Sequence, residues 1–148
     1  HSRSLHQKAA VITKNGKLSI LQWDSSANWE EMLKAEDVMV SGPLLVKNGK
    51  RTPLDTGSMY TVRHPRTAVM VTGKKVLLIT VDGRSERAAG MSLYELASLL
   101  KWLGAEQGIN LDGGGSTTLW VQGNIVNSPS DKTGERPVAN VILVNKKH

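Results

Sequence analysis

The 148-residue chain has no cysteine, which excludes disulfides and thiolate metal sites and leaves its redox compartment open. Aromatic residues are 4% of the sequence. No apolar run approaches the roughly 18 residues a membrane span requires, and no signal peptide remains. No Asn-x-Ser/Thr acceptor with a permitted middle residue occurs, so nothing points to glycosylation. His64 is the only histidine away from the termini, and a histidine-based metal site is therefore not expected. The glycine run at 113–115 lacks the Lys-Ser/Thr of a nucleotide-binding loop, and there is no Gly-x-Ser-x-Gly elbow of a serine hydrolase.

Positive charge is plentiful. Nineteen basic against 13 acidic residues leave a net charge of +6 and a pI near 9.7. Such a surface attracts anions: nucleic acid, a charged polysaccharide or a phosphorylated substrate. Nucleic acid is the weakest of these, because the basic residues are scattered and no nucleic-acid-binding pattern is present. The length suits one domain, 1–148, with a sizeable core.

Hydrophobic patterning predicts an α+β fold, mainly antiparallel sheet with one prominent helix packed on it. Ala9 to Thr13 and Lys17 to Gln22 read as a hairpin through Asn15-Gly16. Asn28 caps a short helix to Ala35, and Val38 to Val46 is extended but interrupted at Gly42-Pro43. Thr67 to Thr72 and Val76 to Val81 form a second hairpin, with Val76 to Val81 as a buried central strand. Ser92 and Glu95 make a capping box for a helix that carries Leu93, Leu96, Leu100 and Leu103 and stops at Gly104. Strands are expected at Gly108 to Asp112, Thr117 to Gln122 and Ala139 to Asn145, with a turn at Gly123-Asn124.

The richest segment is Ile109-Asn110-Leu111-Asp112-Gly113-Gly114-Gly115-Ser116-Thr117-Thr118-Leu119-Trp120. Asn110 and Asp112 share one face of a strand, and the glycines allow bare backbone N–H groups to approach a ligand. Asp82, followed by Gly83-Arg84, ends its own strand in the same manner. Two acids at strand ends could converge on one sheet edge, and paired carboxylates are what glycosidic cleavage uses. Each aspartate alone also fits an Asp-Gly turn. Oxygen-only coordination by Asp82, Asp112 or Asp131 leaves room for calcium or magnesium, but no cofactor is expected.

These motifs resemble those of the phosphodiester glycosidase family. Arg63-His64-Pro65-Arg66-Thr67-Ala68, Val81-Asp82-Gly83-Arg84 and Gly90-Met91-Ser92-Leu93-Tyr94-Glu95-Leu96-Ala97 stand in the family's order around the glycine run. Asn127-Ser128-Pro129-Ser130-Asp131 and Gly134-Glu135-Arg136-Pro137-Val138 complete the pattern, which covers about Val38 to Val144. Members usually carry a further N-terminal portion with its own glycine-rich segment, and nothing here corresponds to it. The expectation is a fragment or one half of a split domain, prone to associate with itself or with that other half.

The resemblance implies hydrolysis of a sugar-1-phosphodiester, N-acetylglucosamine-like or a bacterial glycan, to free sugar and phosphomonoester. It also implies an exported or cell-surface location. Asp82 and Asp112 take the acid/base or nucleophilic roles, in either order. Arg66, Arg84 and Arg136, with the Gly113, Gly114 and Gly115 amides, hold phosphate, since arginine forks and bare amides suit phosphate oxygens. At least one of the three arginines is expected to be structural. Asn110 orients the sugar or Asp112, and Ser116 is a further ligand contact. The alternatives are a non-catalytic module that binds phosphorylated or acidic glycans through the same groups, and an inert fragment of the enzyme.

Overall fold

Asn15 and Gly16 both take positive φ, 53° and 68°, and close the hairpin between β1 (Ala9–Lys14) and β2 (Lys17–Gln22). A computed structural model describes residues 8–145 of the chain. β3 (Asp37–Ser41) pairs with the other flank of β1, giving a three-stranded antiparallel sheet in the order β2-β1-β3. The short helix α1 (Trp29–Leu33) packs on its outer face, where Trp29 joins Ala10 and Ile12. Asn28 precedes that helix but makes no side-chain cap hydrogen bond.

The chain then turns through a cis Gly42-Pro43 bond into a five-stranded sheet. Its members are β4 (Leu44–Lys47), β5 (Lys50–Arg51), β6 (Arg66–Thr72), β7 (Lys75–Val81) and β8 (Gln107–Asn110). The order is β5-β4-β8-β6-β7, and every neighbouring pair is antiparallel. One face, with Leu44, Val69, Ile109 and Leu111, packs against Ala9, Val11 and Ile20 of the first sheet. The other face, with Leu45, Val46, Ala68 and Met70, receives α3 (Leu93–Trp102) through Leu93, Leu96, Ala97 and Leu100. The short α2 (Ser58–Thr61) contributes Tyr60 to that layer.

The capping box of α3 is complete: Ser92 Oγ accepts from the Glu95 amide at 3.2 Å, and Glu95 accepts from the Ser92 amide at 2.9 Å. The α+β class, with antiparallel sheets and one prominent helix, is therefore observed.

Four expectations fail. β7 is an edge strand rather than a central one, because β8 occupies the other flank of β6; Val76 is 42% exposed. Thr117 to Gln122 is mostly not strand: a 3-10 turn covers Gly114–Ser116, and only β9 (Trp120–Val121) pairs, with β10 (Asn124–Ile125). The turn of this hairpin is Gln122-Gly123, both at positive φ, one residue earlier than expected. Residues 139–145 form no strand, and Val141, Leu143 and Val144 stand exposed.

Candidate active site

β7 and β8 are both antiparallel to β6, so they run parallel to each other, with β6 between them. Their C-terminal ends and the start of β6 therefore meet at one edge of the sheet. The register puts Arg66 opposite Val81 and Ala68 opposite Asn110. Asp82 leaves that edge from β7 and Asp112 leaves it from just beyond β8. The two acids belong to non-adjacent strands but share one edge.

Backbone approach explains most of the glycine pattern. A Cβ on Gly90 would sit 2.4 Å from His64 O, one on Gly113 2.7 Å from Pro65 O, and one on Gly83 2.8 Å from Pro65 N. The His64-Pro65 segment is thus a hub against which three motif loops press. Gly114 N donates to Pro65 O at 2.9 Å, and Gly113 N to Asp112 Oδ1 at 2.9 Å. Two amides of the run are therefore already engaged within the chain, and neither contact takes the Gly115 amide.

Gly115 meets a side chain instead. The Asp131 carboxylate lies directly over it, with Oδ1 only 2.1 Å from where a Cβ would stand. Arg136 ties this contact down. Its Nε and Nη2 donate to Ser116 Oγ at 3.3 and 2.9 Å, and its Nη1 lies 3.4 Å from Asp131 Oδ2. The loop after residue 127 is so latched onto the glycine turn.

The three arginines differ in setting. Arg66 is buried, with Nε donating to Met91 O at 2.8 Å and Nη2 to Met59 O and Val62 O, both at 2.9 Å. Burial first, then the nearby Arg84, lowers its pKa from the usual guanidinium value. Arg84 is exposed, has a positive φ of 58°, and lays its guanidinium against Gly114. Its Nη2 is 3.3 Å from His64 Nδ1. A guanidinium can only donate, so His64 accepts there and keeps its proton on Nε2. Burial, reinforced by Arg66 and Arg84, holds His64 below the ordinary imidazole value.

Asp82 accepts from Asn127 Nδ2 at 3.1 Å and from the Ser128 amide at 3.0 and 3.1 Å. Asp112 is exposed, and the Gly113 amide is its partner. Asn110 is buried and turns inward: its Nδ2 donates to Gly42 O at 3.0 Å, while its Oδ1 has no hydrogen-bond partner among the described residues. Its side chain anchors the cis turn before β4 rather than reaching toward Asp112. The edge thus brings together Asp82, Asp112, Arg84, Arg136, Ser116 and the glycine turn, with Arg66 beneath. Among the described residues, no three carboxylate or imidazole side chains are placed to share a metal ion.

Sequence reasoning gave no role to Asn127, weighed His64 only as a metal ligand, and weighed Asp131 only as a cation ligand. The available signal was their presence in two of the resemblance motifs. The sequence pattern of the phosphodiester glycosidase family matches residues 1–145. The chain belongs to that family. It is 36% identical over 114 residues to the SPbeta prophage-derived uncharacterized protein YomE of Bacillus subtilis, covering 75% of this chain and 18% of that protein. It is 31% identical over 120 residues to human N-acetylglucosamine-1-phosphodiester alpha-N-acetylglucosaminidase, covering 72% of this chain and 23% of the enzyme. The catalytic domain of the zebrafish enzyme, auto-inhibited by its pro-peptide, superposes with a TM-score of 0.71 at 25% identity. That match covers 90% of this chain and 48% of the zebrafish chain. The chain therefore spans about half of that solved chain and about a fifth of the curated relatives' length.

Proposed function

We propose that this chain hydrolyses a sugar-1-phosphodiester, with an N-acetylglucosamine-like sugar or a bacterial glycan, to free sugar and a phosphomonoester. The observation that carries the reading is the placement of Asp82 and Asp112 on one sheet edge, beside exposed Arg84 and Arg136. In the reaction, water oxygen bonds to the anomeric carbon and the bond from that carbon to the phosphate oxygen breaks. The electron pair stays on the phosphate, and an aspartate takes the proton released by water. Phosphate is a good leaving group, so charge stabilisation matters more than protonation of the departing oxygen.

Arg84, Arg136 and Ser116 receive the phosphate, with the Gly115 amide as the backbone donor of the run that the Gly113 and Gly114 contacts leave out. Arg66 adds positive charge from below while its N–H groups hold the frame, and Asn110 braces the exit of β8 from inside. The substrate is taken up outside the cytoplasm, in keeping with the location that the family resemblance implies.

A second reading, a module that binds phosphorylated or acidic glycans without turnover, draws on the half-length match to the zebrafish catalytic domain. Titration with an N-acetylglucosamine phosphodiester beside an activity assay separates the two. The hydrolase reading expects turnover that Asp112→Asn lowers about 10³-fold, a typical contribution of a positioned acid or base. Binding with no turnover would favour the module.

A further inference from the structure

The two aspartates are held in different ways. Asp82 is half-buried, and donors reach both of its oxygens: the Ser128 amide at 3.0 and 3.1 Å, and Asn127 Nδ2 at 3.1 Å to Oδ1. Each donor is an N–H group, which can give a hydrogen bond to a carboxylate but cannot accept one from a carboxylic acid. Together these donors hold both oxygens in one orientation. Asp112, by contrast, is exposed and accepts from the amide of its own neighbour, Gly113.

Asn127 has no freedom to turn. The Leu119 amide donates to its Oδ1 at 2.8 Å, so the oxygen must face Leu119. The NH2 group then necessarily faces Asp82 Oδ1 and Thr117 O, the latter at 2.9 Å. One side-chain amide joins the end of β7, the stretch that leaves the glycine turn, and the loop that carries Asp131. The backbone that follows it immediately supplies the Ser128 donor.

We propose that Asn127 is a positioning residue that fixes Asp82 as an oriented carboxylate and so divides the work of the two acids. Asp82 faces the positive charge that develops at the sugar, and Asp112, open to water, takes the proton from the attacking water molecule. The division rests on the glycosidase reading above. Water forms the new carbon–oxygen bond, the carbon–phosphate oxygen bond breaks with its electrons going to phosphate, and the water proton goes to Asp112.

The test has two arms on the full chain. In ¹H–¹⁵N spectra, Asp82→Asn is expected to move the Asn127 side-chain amide and the Ser128 amide resonances, whereas Asp112→Asn leaves both in place. Unmoved resonances in Asp82→Asn would overturn the proposal without reference to activity. In the kinetic arm, with an N-acetylglucosamine-1-phosphodiester, Asn127→Ala is expected to lower kcat about 10²-fold, the scale of a small misplacement of a catalytic group. KM should stay within about threefold, because substrate contacts are untouched. Asn127→Asp keeps an acceptor for the Leu119 amide and removes both donors, so it serves where the alanine variant does not fold. Wild-type kcat in Asn127→Asp would overturn the proposal. Resonances that respond as expected in a chain without turnover would support the hold on Asp82 and reject the phosphodiester reading.

Discussion

At the residue scale, the motif glycines divide by what their missing Cβ would strike. Gly90 combines a φ of +84° with His64 O at 2.4 Å, a backbone atom that cannot step aside. Gly123 has a φ of +81° and nothing within 4 Å. Gly123→Ala is therefore expected to cost about 1 kcal/mol from left-handed backbone alone. Gly90→Ala should cost roughly 3 kcal/mol or more, since overpacking adds to the same strain. Urea unfolding of the two variants checks this, and equal losses would contradict the hub role of His64-Pro65. Asp82 and Asp112 were legible as candidates because an acid at a strand end before glycine is a local pattern. The hub was not legible, since Pro65 meets Gly83 and Gly113 only after folding. Asn110 shows the same limit: its strand position was readable, but its bond to Gly42 crosses 68 residues of chain.

At the scale of elements, α3 begins in a charged network of Arg63, Glu95 and Ser92. Arg63 Nε lies 3.1 and 3.0 Å from the two Glu95 carboxylate oxygens, and Arg63 Nη2 forms a closer ion pair with one of them. The Arg63 bond, followed by the Ser92 amide bond, lowers the Glu95 pKa to about 2. A carboxyl depressed in the folded state stabilises the fold above its unfolded pKa and loses that contribution as pH falls through the folded value. The loss should run from about pH 4.5 down to about 2. Glu95→Gln removes this term, so its deficit in melting temperature relative to the parent chain should shrink as pH falls across that window. A deficit that holds constant with pH would contradict it. The capping box was readable because its two residues are three apart and need no distant partner. The edge position of β7 was not, because it depends on which strand takes the second flank of β6. The last segment failed for the same reason: apolar residues at 141–144 mark a strand only when a neighbouring strand is there to pair.

At the scale of the whole molecule, net positive charge and exposed apolar side chains are the surface features. The net charge of +6 favours anionic ligands, the class to which the proposed phosphodiester substrate belongs. Leu143 and Val144 are each 75% exposed, Val141 is 69% exposed, and Trp120 of the β9–β10 hairpin is 52% exposed. β7 also leaves one flank unpaired within its sheet. Exposed apolar side chains and open sheet edges favour association. The proposal that the chain associates with itself, or with the remainder of a longer domain, expects light scattering to show a mass that rises with concentration. A mass fixed at one chain would reject self-association. No helix among the described residues is long and apolar enough to cross a membrane.

The proposed reaction cleaves the bond between a sugar and its phosphate at the carbon, on the sheet edge that carries Asp82 and Asp112. Hydrolysis of an N-acetylglucosamine-1-phosphodiester in ¹⁸O-labelled water tests it most directly, with Asp112→Asn as control. Label is expected in the free sugar and not in the phosphomonoester, with turnover lost in the variant. Label in the phosphomonoester, or full turnover by Asp112→Asn, would contradict it.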